Sequence, residues 1–156
     1  MNINAAVTPG HWILEASTLS AGAVYDWVNR LFSDWEGKGG AIQHLNAAAE
    51  QSPPGANGVV MLPDLAGKGC PEWNDWARGL FCNLSFSTTR GDMARAALEG
   101  VAAEIAQCHQ ILRSLDARVA SVHVTGGLAK FSLFDQILAD MLEYPVERCI
   151  IEETTA

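Results

Sequence analysis

The stretch 121–140, SVHVTGGLAKFSLFDQILAD, constrains the fold more than any other part of the chain. Val122 and Val124 alternate as in a strand, Thr125-Gly126-Gly127 makes a turn, and after a short polar loop Leu133, Ile137 and Met141 recur at helical spacing. Tyr144-Pro145 and a β-prone run over 146–151 follow, and a long helical pattern over 89–115 precedes. The second half therefore reads helix, strand, helix, strand. Its crossover connections imply parallel pairing in an α/β sheet. Ligands of such sheets gather at the carboxyl ends of the strands, which is where Thr125-Gly126-Gly127 falls. Gly126-Gly127 has two readings. It is a tight turn, or it is bare backbone against which a flat or charged ligand lies, with a helix behind it directing N–H groups and partial positive charge at a phosphorylated, nucleotide-like molecule. Neither G-x-G-x-x-G nor the phosphate-loop pattern accompanies it.

The 156 residues, 49% hydrophobic, fit one domain able to bury roughly two-thirds of its unfolded surface. A net charge of −8 and a pI near 4.8, without any basic stripe, argue against a nucleic-acid partner. Cys70, Cys82, Cys108 and Cys149 have neither metal-site nor disulfide-framework spacing; they read as buried free thiols suited to a reducing cytoplasm. The amino terminus has neither a basic start nor an apolar core, and no apolar run reaches the eighteen or so residues of a membrane span, so export and membrane insertion are not expected.

In chain order, 12–15 reads as a short extended piece. A helix follows with Ser20 as N-cap and Val24, Trp27, Val28, Leu31, Phe32 and Trp35 as its apolar stripe, Asp26 lying off it. Gly37 to Gly40 end that helix, a second spans 41–50, and Ser52-Pro53-Pro54-Gly55 is a turn. GVVML at 58–62 reads as a buried strand. Residues 63–91 form a packed loop with a strand over 80–86. Arg78 in that loop is either a ligand contact or an anchor for loop carbonyls or Asp75. Thr89 and Asp92 form a capping box, and Ala94, Ala97, Leu98, Val101, Ile105, Cys108 and Leu112 trace the core face of a helix about 36 Å long. On that helix Glu104 reads as solvated, and Glu99 as a partner for the glycine-rich loop. His109 and His123 lack a second ligand at metal spacing and read as structural, so no metal site is expected.

Several ordered motifs resemble the C-terminal domain of the FGGY carbohydrate kinases, which include xylulokinase, gluconokinase and glycerol kinase. That family shows L-x-G-E-R-x-P-x-W, A-R-G, a T-R-x-x-x-x-R-A-x-L-E-G-V-A helix start, V-x-G-G-G-A-R-S-x-x-W-x-Q-I-L-A-D and P-V. Here Leu65, Gly67, Pro71 and Trp73 match the first, Ala77, Arg78 and Gly79 the second, and Thr89 to Val101 the third. Gly126, Gly127, Gln136 and Asp140 match the fourth, and Pro145-Val146 the last. PGHWILEASTLSAGAVYDWV is similar to the family's upstream P-G-x-W-x-L-E-G-x-x-x-S-G-G-A-x-x-x-W segment, so the likeness covers essentially the whole chain.

The resemblance implies an α/β, actin-like ATPase (ribonuclease H-like) domain. Residues 1–156 would be one partial C-terminal domain, and the chain's stop just after a strand fits a fragment. The sugar site and catalytic aspartate would belong to an absent N-terminal domain; the phosphate loop and last helix would be absent too. ATP with Mg2+ is the implied cofactor and a sugar or polyol the implied substrate. By position, Gly126 and Gly127 match the adenosine motif, Gly22, Tyr25 and Asp26 border the adenine and ribose pocket, and Lys130 and Phe131 flank the base. Phe131 stands where a small polar residue is usual, so contact there would be stacking. Leu128 replaces a glycine or alanine, and Lys68-Gly69 replaces Glu-Arg. No catalytic residue is expected within the chain, and it is expected to be inactive alone. The alternative is a non-catalytic remnant that binds partners or itself without nucleotide affinity; homo-oligomerisation stays open.

Overall fold

The structure, a computed structural model, describes residues 2–33, 42–115 and 118–149. It is built around α3 (Arg90–Ser114), which starts at the predicted capping box. The Asp92 N–H donates to Thr89 Oγ1 at 3.2 Å and the Thr89 N–H to Asp92 Oδ2 at 2.9 Å, satisfying two donors that a helix start otherwise leaves unpaired. Of the predicted core face of α3, Ala94, Ala97, Leu98, Val101 and Cys108 are buried, while Ile105 and Leu112 are half-buried. α1 (Gly22–Ser33), α2 (Ile42–Gln51) and α4 (Ser132–Leu142) pack against α3. Its other face is stepped with Ala96, Gly100 and Ala103, and these small residues let β3 (Val60–Leu62) come close. A Cβ at Gly100 would lie 2.4 Å from Met61 O.

Among the described residues six strands form three two-stranded sheets. β1 (Asn2–Ala5) and β2 (Trp12–Glu15) are an antiparallel hairpin, with Asn2 opposite Glu15 and Ala5 opposite Trp12. β3 pairs antiparallel with β4 (Leu80–Cys82). β5 (Val122–Val124) and β6 (Val146–Arg148) are parallel, Val122 opposite Val146, with α4 as the crossover that the sequence predicts. Among the described residues no helix is long and apolar enough to cross a membrane.

Several expectations need correction. β1 was not expected, because NINA is only four residues long and half asparagine, which is disfavoured in strands; the hairpin turn supplies it through the Ala6 N–H to His11 O bond and Gly10 at φ +80°. β3 is buried only at Met61, while Val60 and Leu62 are exposed, since its partner is a single short strand rather than a covered sheet. β4 stops at Cys82 rather than 86, where Asn83 takes φ +60°. α1 starts at Gly22, one residue later than a Ser20 cap gives, and buries Tyr25 in place of Leu31. Trp35, Gly37 to Gly40 and residues 150–151 lie outside the described residues. α4 turns Phe134, Ile137, Leu138 and Leu142 inward, so Met141 is exposed.

Glu104 is the largest correction. It is 8% exposed, not solvated, because its turn of α3 faces Asp64 rather than water. Burial first, and then the neighbouring Asp64 carboxyl, push its pKa up from 4.5 to about 7, against an opposing pull from Lys68. The folded protein thus holds this proton more tightly than the unfolded chain. The stabilisation it gives is complete below pH 4.5 and is lost as pH rises to about 7. Urea denaturation of the wild type should therefore show a fall of about 2 kcal/mol between pH 5 and pH 8. Glu104→Gln should flatten that fall; an unchanged slope would show that another group causes it.

Candidate functional site

α1, α2 and the turn after β5 enclose a cavity of about 390 Å3. α1 contributes Gly22, Tyr25 and Asp26, α2 contributes Ile42, Gln43 and Asn46, and the turn contributes Gly127, Leu128, Lys130 and Phe131. Of the seven residues singled out in the sequence, Gly22, Tyr25, Asp26, Gly127, Lys130 and Phe131 meet here, from segments a hundred residues apart in the chain. Gly126 adjoins the cavity without lining it.

The turn differs from expectation at its second glycine. Gly126 has φ +96°, a left-handed conformation that side chains resist, but Gly127 has φ −61° and ψ −44°, which any residue adopts. Gly127 instead keeps space open: a Cβ there would meet nothing within 4 Å. The following residues are not a plain polar loop but a 3-10 turn, Leu128–Lys130, pinned by buried Ala129. Phe131 then sits at the N-cap position of α4 with no side-chain cap, so the free N–H groups of α4 begin a turn beyond Gly127.

Tyr25 is 2% exposed and its ring lies 6.1 Å from that of Phe131 at a 33° tilt, which makes one wall aromatic. The Tyr25 hydroxyl donates to Asn46 Oδ1 at 3.0 Å, joining α1 to α2. Burial, with Glu50 nearby, raises the Tyr25 pKa above the ordinary phenol range, so this hydroxyl stays a donor. Gln43 and Asn46 were missed in the sequence. They share one face of α2 at i, i+3, but nothing in IQHLNAAAEQ separates a cavity-facing amide from a solvated one.

Candidates elsewhere resolve into structural roles. Arg78 donates to Asp75 O at 2.8 Å and Ala77 O at 2.7 Å, the loop-carbonyl alternative. Glu99 accepts from Arg95 Nε at 2.8 Å and from the Gly55 N–H at 2.9 Å, so it holds the proline-rich turn rather than the 63–91 loop. His109 meets Tyr144 edge-on at 5.3 Å, and His123 contacts Ser121 Oγ at 3.0 Å. The four cysteines are free thiols, Cys70 and Cys108 buried and the other two half-buried. Among the described residues no group of three His, Cys, Asp or Glu is placed to hold a metal ion.

The family model for the FGGY family of carbohydrate kinases, C-terminal domain, matches residues 2–156. The chain belongs to that family. A glycerol kinase of Oleidesulfovibrio alaskensis is 36% identical over 152 residues, which cover 94% of this chain and 29% of that protein. A glycerol kinase of Herminiimonas arsenicoxydans is 35% identical over 149 residues, covering 93% and 28%. The xylulose kinase of Rhodospirillum rubrum superposes with a TM-score of 0.84 at 29% identity, over 94% of this chain and 29% of that one. The fold is therefore the actin-like ATPase fold of the FGGY sugar kinases, mixed α/β with a parallel strand pair. The chain spans under a third of the length of the curated relatives it matches.

Proposed function

We propose that the chain is the nucleotide-binding part of an ATP-dependent carbohydrate kinase, with the base and ribose held in the cavity between α1, α2 and the 127–131 turn. The observation that carries this reading is the convergence on one cavity of six residues matched by motif to the adenosine pocket. Its volume lies within the range of about 300–1,000 Å3 usual for small-molecule sites, and its walls mix aromatic and amide groups. Phe131 would stack on the base. Tyr25 would hold Asn46 by its Oδ1, leaving the amide nitrogen to donate to a ring nitrogen of the purine. The open space before Gly127 would admit the ribose and phosphates.

ATP supplies the transferable phosphoryl group, and Mg2+ travels on its phosphates, which needs no all-protein metal cage. The sugar or polyol and the base that activates its hydroxyl would belong to a separate N-terminal domain of the same enzyme. Residues 1–156 would then be one partial C-terminal domain and would not phosphorylate a sugar alone. Four free thiols suit a cytoplasmic enzyme.

The test replaces the ring with an aliphatic side chain. Phe131→Leu should weaken ADP binding about tenfold in calorimetry, the worth of one base–aromatic stack, and, because Phe131 is 8% exposed and packs on Tyr25, should also lower the thermal transition, so affinity is read well below it. Equal affinities would remove the ring from the site. A second reading, a non-catalytic module that self-associates, is favoured by the hairpin, where Ile3, Trp12 and Ile13 are 64%, 70% and 46% exposed. It predicts sedimentation as a dimer and no response to nucleotide.

A further inference from the structure

The cavity between α1, α2 and the 127–131 turn is graded from floor to rim. Tyr25 and Phe131 are buried and Asn46 is half-buried, whereas Asp26, Gln43 and Lys130 are exposed. The floor is aromatic and the rim polar. A nucleoside has the same grading, a flat base joined to a sugar that carries two hydroxyls. A base stacked on the floor leaves its sugar at the rim.

Asp26 is the anionic group of that rim. Among the described residues nothing hydrogen-bonds or ion-pairs with it, whereas Tyr25 is tied to Asn46. An ionised carboxylate only accepts, so whatever it recognises must donate. A cis-diol offers two O–H donors on adjacent carbons, one for each carboxylate oxygen, and hydrogen bonds to a charged acceptor are stronger than neutral ones. A phosphate would meet like charge at Asp26, and among the described residues no group of three His, Cys, Asp or Glu would hold a metal ion. Gly22 lies one turn before Asp26 on the same face of α1. A Cβ at Gly22 would touch only Leu128 Cγ, at 3.9 Å, so the helix surface beside the carboxylate is open to a sugar ring. Asp26 also falls at a position that the family's S-G-G-A-x-x-x-W segment leaves free, so its charge belongs to this chain and not to the motif.

We propose that Asp26 reads the ribose, its carboxylate accepting from the 2′- and 3′-hydroxyls, and that this makes the cavity selective for ribonucleotides over 2′-deoxyribonucleotides. The inference rests on the nucleotide reading above and adds the group that decides the sugar.

The experiment titrates the 15N-labelled chain with MgADP and with its 2′-deoxy counterpart, following the amide shifts of Gly22, Tyr25 and Gly127. The deoxynucleotide should bind about fivefold more weakly, the worth of one hydrogen bond to an exposed charged group. Asp26→Ala should erase that difference. Repulsion between Asp26 and the phosphates is common to both nucleotides and cancels in their ratio, so the ratio reports the diol alone. Equal affinities in the wild type, or a fivefold preference that survives in Asp26→Ala, would overturn the proposal while leaving the nucleotide reading in place. Absence of saturable shifts with either nucleotide would overturn both. Asp26 is exposed and alanine favours helix, so the variant should fold, and the wild-type comparison decides the matter even if it does not.

Discussion

Asp92→Ala should lower the stability of the chain by roughly 3–5 kcal/mol, a large share of the 5–15 kcal/mol that holds a typical domain. Asp92 is 2% exposed and collects donors from three segments. Its Oδ1 accepts from Ser52 Oγ at 2.6 Å and Asn57 Nδ2 at 2.8 Å, and its Oδ2 from the Thr89 N–H at 2.9 Å. Alanine would leave those donors buried without an acceptor and would remove half of the α3 capping box. It would also free Asn57, which with Ala56 holds a left-handed backbone at φ 52° and 49°, a conformation that alanine resists. The Ser52 bond first, helped by the Thr89 and Asn57 bonds and opposed by burial, lowers the Asp92 pKa from 3.8 to about 2. Its stabilisation is thus complete above pH 3.8 and is lost as pH falls to about 2. Urea denaturation at pH 7 measures the main effect, with Asp92→Asn retaining part of it. A loss under 1 kcal/mol for alanine would contradict the network.

Gly91→Ala should cost about 2–4 kcal/mol and weaken nucleotide binding as well. The added Cβ would lie 2.4 Å from Ala48 O and 3.0 Å from Ala48 C, both backbone atoms that cannot rotate away. Relief requires α2 to move off α3, and α2 carries Gln43 and Asn46. The bond from Tyr25 to Asn46 would stretch and the cavity wall would open. Thermal melting and ADP calorimetry on the same variant measure both effects. Normal affinity in a destabilised protein would show that α2 does not shape the cavity.

Much of this was legible in the sequence because it depends on neighbours along the chain. The Thr89–Asp92 box, the 3.6-residue face of α3 and the β5–α4–β6 crossover are local patterns that folding only had to assemble. The glycine turn was legible as a turn, but φ/ψ at each glycine was not: Gly126 alone needs its freedom. What was hidden depends on which segments face each other. Glu104 reads as solvated until Asp64 is seen across from it, and Asn46 as an ordinary surface amide until Tyr25 meets it. β1 stayed hidden for the same reason, since its pairing with β2, not its composition, makes it a strand.

The central claim is that the cavity beneath Gly127 binds a nucleotide. Isothermal titration of the chain with MgADP tests it most directly, with amide shifts recorded in parallel. The account predicts saturable heat with a dissociation constant in the millimolar range or tighter, ADP-induced shifts at Gly22, Tyr25 and Gly127, and none at Met61 or Glu104. Silence at several millimolar MgADP, from a chain whose melting transition shows that it is folded, would contradict it.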